Sequence, residues 1–212
     1  MLEEMLTYLS THTGNIAEQI GTHLGISLVS LLAAALIGLP CGYLASRSVK
    51  WENVVSIPFE ILRVVPSLAL LILLIPLMGT GVWPAVTALT VLAIPPILLN
   101  TIAGFRSVPD FMVESASGIG MTEQEILKQV RIPSAMPMIL AGLRTGLVEV
   151  IASATLAAKI GAGGLGEIIF TGLGLNRTDL LLIGGGLVAI LSLLCGLVFD
   201  RISRRILRYK YI

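Results

Sequence analysis

Charge is what this sequence has least of. Only 13% of its 212 residues are Asp, Glu, Lys or Arg, 55% are hydrophobic, and the mean hydropathy is +0.93. A soluble domain needs a charged, hydrated surface, so this balance excludes one and places the chain in a bilayer. Cysteine is nearly absent too. Cys41 and Cys195 both sit inside apolar runs, where a thiol acts as a small hydrophobe, and neither a disulfide nor a redox centre is expected. His12 and His23 have no clustered Cys or carboxylate partner, so a surface or interfacial role is expected for both and a metal site is not. No G-x-x-x-x-G-K-[ST] occurs anywhere, which excludes a P-loop ATPase in this chain. The acidic start lacks the basic region of a cleavable signal, and none is expected. At this length one compact bundle is expected, completed by a second copy or a paralogue.

What is present are long uncharged runs. A spanning helix needs about 20 apolar residues, because the hydrocarbon core is about 30 Å thick and a helix rises about 1.5 Å per residue. Residues 24–46 carry no charge and supply a first span. The 42 residues 64–105 carry none either, and Gly79-Thr80-Gly81 before Pro84 makes a reversal that divides them into spans two and three. The second span is expected to begin near Val54 and so to contain Glu60 and Arg63. Residues 133–160 form a fourth span containing Arg144 and Glu149, and 180–199 form a fifth. The domain reading is therefore an outer amphipathic segment over 1–22, with Leu2, Met5, Leu6 and Leu9 at helical spacing, a five-helix domain over 23–206, and a basic tail over 207–212.

Five spans put the termini on opposite sides. With the N-terminus outside, Arg47, Lys50, Arg106, Lys128, Arg131, Arg201, Arg204, Arg205, Arg208 and Lys210 fall inside, and only Lys159 and Arg177 fall in outer segments. Short loops rich in Lys and Arg stay in the cytoplasm, so this orientation is expected. The Arg-rich tail follows a span directly and reads as a topology anchor rather than a nucleic-acid patch.

Between spans three and four the chain reads Glu114-Ser115-Ala116-Ser117-Gly118-Ile119-Gly120-Met121, then Val130-Arg131-Ile132-Pro133. A short helix over 110–118 ending at glycine, a second helix capped by Thr122 with Glu125 three residues on, and Pro133 in the first turn of span four are expected. This loop over 106–133 resembles the EAA loop of bacterial ATP-binding-cassette importer permeases. The Glu, second Ala, Gly and Pro of that pattern match in spacing, while Ser115, Val130 and Ile132 replace similar residues. The resemblance implies an all-α membrane protein, a five-transmembrane-helix type I importer permease bundle (MetI-like). It also implies that Glu114, Ser115, Ala116, Gly120, Met121, Ile132 and Pro133 form a knob seated in a separate ATP-binding subunit, which would hold the ATP and Mg.

Pro66-Ser67-Leu68-Ala69-Leu70, Ile75-Pro76-Leu77 and Pro95-Pro96-Ile97-Leu98-Leu99-Asn100-Thr101 narrow the resemblance. So do Ala154-Thr155-Leu156-Ala157 and Ile160-Gly161-Ala162-Gly163-Gly164-Leu165-Gly166. Together they look like the osmoprotectant branch, which imports glycine betaine, carnitine, choline and related quaternary amines. Its implied partners are an extracytoplasmic substrate-binding protein, the ATPase subunit and a second permease copy or paralogue, in a bacterial inner membrane. Ergothioneine, methionine and phosphonate permeases share parts of the pattern, and an ion-coupled carrier working alone is a reading from another class. Gly161, Gly163 and Gly166 also spell G-x-G-x-x-G, but a span precedes them instead of a strand, so a capping or re-entrant loop near the outer gate is expected rather than a dinucleotide site.

Pro66, Pro76, Pro95 and Pro96 interrupt hydrogen bonding in spans two and three, which points to kinks near a pathway. Ser67, Asn100, Glu149, Ser153 and Thr155 are candidates to line it, against the alternative that such polar groups bond their own helix. Arg63 and Glu149 are charges within spans. They form a pair, or Glu149 faces the cavity and offsets a cationic head group, or each lies toward an interface with Arg63 contacting Glu60.

Overall fold

The computed structural model describes residues 2–210, and among them every regular element is helical. In chain order these are α1 (Leu2–Thr11), α2 (Thr13–Ser46), α3 (Val49–Leu62), α4 (Ser67–Met78) and α5 (Val82–Arg106). Then come α6 (Asp110–Gly118), α7 (Glu123–Ile126), α8 (Ile132–Ala157), α9 (Gly166–Gly174) and α10 (Thr178–Ile206). The last two residues of the basic tail expected over 207–212 lie outside the described residues; 207–210 form a 3₁₀ turn.

Among the described residues, four unbroken helices are long and apolar enough to cross a membrane: α2, α5, the Glu123–Ile160 stretch and α10. The expected second span is a broken pair, α3 and α4, bent by 95°. Pro66 stands at the N-cap of α4, and its ring disfavours helical backbone at the residue before it, so the chain stops at Arg63 and restarts at Ser67.

The core is built around α5. Ala85, Ala88, Leu89, Ala93, Ile97 and Leu98 are all 0% exposed, clasped by α2 on one side and α8 on the other. Lipid tails are as apolar as leucine, so such helices gain little from hydrophobic burial and must gain from close packing. Missing side chains supply it. A methyl group on Gly42 would lie 2.7 Å from Thr101 Cβ, and one on Gly142 would lie 2.7 Å from Asn100 Cβ and 2.8 Å from the Pro96 carbonyl oxygen. Ser30 and Thr90 tie α2 to α5 as well: Ser30 Oγ donates to the Val86 carbonyl at 3.3 Å and Thr90 Oγ1 to the Ser30 carbonyl at 3.4 Å.

The structure corrects the expectation for His23 and adds detail at three other places. The helix that carries the first span begins at Thr13, ahead of the uncharged run, and continues through Glu18 and His23 into the bundle. His23 is therefore not at a surface: it is 1% exposed and its Nε2 lies 2.9 Å from the Ile151 carbonyl oxygen of α8. The α1 segment packs Met5, Tyr8 and Leu9 onto a satellite cluster with Leu180 and Ile183 of α10, so those apolar residues face protein. Pro95 and Pro96 do not end α5, which runs on from Val82 to Arg106.

The packing argument makes a sharp prediction. Gly142→Ala should lower the unfolding stability of the detergent-solubilised protein by about 1–3 kcal/mol through overpacking. Gly185→Ala, where nothing lies within 4 Å, should leave stability unchanged or slightly raised, as helix propensity dictates. Equal thermal shifts in the two variants would contradict it.

Candidate functional site

The loop between α5 and α8 is a short helix, a turn and a capped restart. Helix α6 ends in a Schellman arrangement: Met121 N–H donates to the Ala116 carbonyl at 3.1 Å, and Gly120 N–H to the Ser117 carbonyl at 3.0 Å. The residue that must reverse the chain is Gly120, with φ of +86°, a region in which a Cβ is strained. The glycine at the helix end, Gly118, is not that residue. The capping box expected at Thr122 is formed. Its backbone N–H donates to Glu125 Oε2 at 2.8 Å, and Glu125 N–H donates back to Thr122 Oγ1 at 3.4 Å.

Ala116 is buried under this turn, whereas Glu114, Ser115 and Gly120 are exposed and Met121 is half-buried. Large apolar residues join them at the surface, Phe111 at 68% and Ile119 at 81% exposure. The result is a protruding knob with an apolar crest flanked by acids, a form suited to seating in a groove of another protein.

The second half of the loop departs from expectation. Instead of a separate helix, α7 passes through one π turn, Leu127–Arg131, directly into α8, giving a continuous helix over Glu123–Ile160. Ile132 N–H reaches back to the Leu127 carbonyl, five residues earlier. Widening the helix there accommodates Pro133, whose ring would press on the preceding turn of a regular α-helix. Ile132 and Pro133, both half-buried, stand in the first turn of α8, as expected for Pro133, at the joint of the longer helix.

At the far end of that helix the glycine-rich segment acts as a cap. Ala162 N–H donates to the Ala157 carbonyl and Gly161 N–H to the Ala158 carbonyl, both at 3.1 Å, with Gly161 at φ of +76°. Gly166 backs directly onto the Thr155 carbonyl, where no side chain fits. Gly81 N–H from the α4–α5 reversal joins the Ile160 carbonyl at 2.7 Å. The glycines serve close backbone approach, as the capping reading expected.

The five candidates for a pathway are not gathered into one pocket. Asn100 Nδ2 donates to the Pro96 carbonyl at 2.8 Å and Thr155 Oγ1 to the Ala152 carbonyl, so both polar groups bond their own helix. Gly142, beside Asn100, and Thr155 stand thirteen residues apart on α8, about 20 Å along the axis. Glu149 and Ser153 are one turn apart on α8, both half-buried, while Ser67 starts α4. No ion pair joins Arg63 and Glu149 among the described residues. Arg63 caps α3 at the break and is exposed.

The cross-helix ion pairs that do form were not anticipated. Arg144 of α8 makes a bidentate contact with Asp200 of α10, Nε to Oδ1 at 2.7 Å and Nη2 to Oδ2 at 3.3 Å. Arg106 of α5 holds Glu52 of α3 at 2.6 Å. A signal existed: Arg144 is a charge inside the fourth span, and Asp200 is the acid that ends the fifth apolar run.

The family profile described as binding-protein-dependent transport system inner membrane component matches residues 18–208. The chain belongs to this family. It is 40% identical over 205 residues to the carnitine transport permease protein OpuCB of Listeria monocytogenes, covering 97% of this chain and 94% of that one. It is 38% identical to the glycine betaine/carnitine/choline transport system permease protein OpuCB of Bacillus subtilis, with the same coverage. Among solved structures, a chain of the inward-facing MetNI methionine ABC transporter superposes with a TM-score of 0.81 at 26% identity, over 92% of this chain and 98% of that one. The protein is thus a multi-pass inner-membrane permease subunit of an ABC importer, with the MetI-like fold.

For this permease the Arg144–Asp200 contact should behave as a coupled pair. Arg144→Asp and Asp200→Arg should each destabilise the solubilised protein, and the double exchange should recover a coupling of about 0.5–3 kcal/mol. Strict additivity in the thermal-unfolding cycle would show that the two charges act independently.

Proposed function

We propose that this permease carries a quaternary-amine osmoprotectant of the glycine betaine, carnitine or choline type. A soluble receptor delivers it outside, and a separate ATPase subunit, which binds the ATP and Mg, drives the passage. The observation that carries this reading is the exposed knob of Phe111, Glu114 and Ile119 held at the Gly120 turn and joined to the long Glu123–Ile160 helix. The names of the relatives support the solute class. A second permease copy or paralogue faces the apolar surface of the broken span, where Val64 is 81% and Leu77 78% exposed.

Of the coupling residues, Glu114 and Ser115 flank the apolar crest of Phe111 and Ile119, Ala116 and Met121 seal the turn beneath it, and Gly120 sets its angle. Ile132 and Pro133 link the knob to α8. The pathway runs along α8 past Glu149 and Ser153 and the break at Arg63 and Ser67, with Asn100 and Thr155 marking its two ends. Glu149 supplies the negative charge that offsets a cationic head group.

The test is uptake by the reconstituted importer across a panel of quaternary amines, methionine and a phosphonate. Uptake that needs receptor and ATP and favours quaternary amines is expected; preference for methionine, or uptake by the permease alone, would overturn the reading. Glu114→Lys should leave the protein in the membrane and cut ATP-driven uptake about tenfold, within the usual range of coupling between sites. Unchanged uptake would sink the role of the knob.

The N-terminus lies outside and the C-terminus in the cytoplasm. A cysteine at the exposed position Thr171 should be labelled by an impermeant reagent added to intact cells, while one at the equally exposed Ser115 is protected until the membrane is opened. The reverse pattern would invert the topology.

A further inference from the structure

Where α2 runs into α3 the two helices enclose a cleft of about 700 Å³. Its walls are apolar, with Leu44 of α2 facing Val54, Pro58 and Phe59 of α3, and Arg47 and Trp51 stand where the two helices meet. The cleft opens outward: Leu44, Trp51 and Val54 are 59%, 61% and 57% exposed. In volume it matches sites that hold small organic molecules.

Charge decides what fits. Arg47, in the cleft, and Lys50, beside Trp51 in the first turn of α3, are both exposed, and among the described residues neither has an ion-pair partner. The acid next to them in sequence, Glu52, is engaged by Arg106 at 2.6 Å. Glu123 and Arg131 share a separate polar cleft on another side of Arg47. An apolar trench thus ends at two uncompensated cations and a tryptophan, at the level where a spanning helix stops. Trp, Arg and Lys gather at that depth in membranes, and each cation there favours anionic lipid by about 1 kcal/mol. A helix from a second copy would fill the trench but leave both cations unmatched.

We propose that this cleft binds an anionic phospholipid, with an acyl chain between α2 and α3 and the phosphate against Arg47 and Lys50. Occupancy fixes the spacing of α2 and α3, and α3 leads directly to the 95° break. The inference does not depend on which solute is carried or on which way the chain faces.

The test uses the full-length protein in phosphatidylcholine vesicles with a minor share of phosphatidylglycerol, probed with photoactivatable forms of both lipids and read by peptide mass spectrometry. Phosphatidylglycerol should label the peptide over residues 41–59 in preference to phosphatidylcholine. Arg47→Gln and Lys50→Gln should each reduce that preference about fivefold, the weight of one cation at an anionic surface. Arg201→Gln, in α10, should leave it unchanged. Val54→Trp, which fills the trench and spares the cations, should reduce labelling by both lipids. Equal labelling by the two lipids, or a preference that survives in the doubly substituted protein, would reduce the cleft to ordinary lipid contact and overturn the proposal. So would absence of label in the wild type together with cross-linking between copies through a cysteine at Val54, which would assign the trench to a second permease.

Discussion

The fit of α5 between α2 and α8 is the contact from which the other elements hang. It depends on backbone approaching backbone, since in a lipid solvent there is little to gain from moving apolar side chains out of one oily medium into another. Gly38 and Gly42 let α2 lie along Ile97 and Thr101, Gly142 lets α8 lie along Pro96 and Ile97, and Gly104 admits the Ala135 carbonyl. The broken span is attached to this unit through α4 against α5 and through Glu52 on Arg106. The knob is attached because its loop leaves from the end of α5 and returns at the start of the long helix.

Helix α6, just ahead of that long helix, and the far end of the long helix itself are closed by the same chemistry. At the loop end Gly120, and at the far end Gly161, each take a positive φ, and in both cases two backbone N–H groups reach back to carbonyls of the turn before. The functions differ because the surroundings differ. Around Gly120 the neighbours are exposed and apolar, which suits a partner. Around Gly161 the loop is pressed against His23 and Thr155, and Gln19 donates to Glu167 at 3.2 Å, which suits a closed lid on the bundle.

Much of this was legible in the sequence because it rests on local rules. Uncharged runs gave the spans, the Thr122 and Glu125 spacing gave the capping box, and the glycines gave the turns. What was hidden depends on geometry between distant segments. The start of α2 carries Glu18 and His23, so hydropathy marks it as outside, yet α2 runs on through it and buries His23 against Ile151. Pro66 announces a break, but not its 95° angle, nor that α4 then lies against α5 and α8. Pro133 reads as a helix start, and only the π turn before it shows how the helix continues. Arg63 and Glu149 stood out as charges without local partners, whereas Arg144 found its partner in Asp200, fifty-six residues away.

The continuous helix over Glu123–Ile160 has a mechanical consequence. At about 1.5 Å per residue its 38 residues make a rod about 57 Å long, longer than the hydrocarbon core is thick, with the knob at one end and the glycine lid at the other. No loop interrupts it, so a tilt imposed at the knob arrives at the lid as displacement rather than being dissipated on the way. The π turn over Leu127–Arg131 loosens the helical hydrogen bonding close to the knob. It lies almost at the knob end, so a pivot there leaves a long arm reaching the opposite surface, over which a small motion of the knob is enlarged.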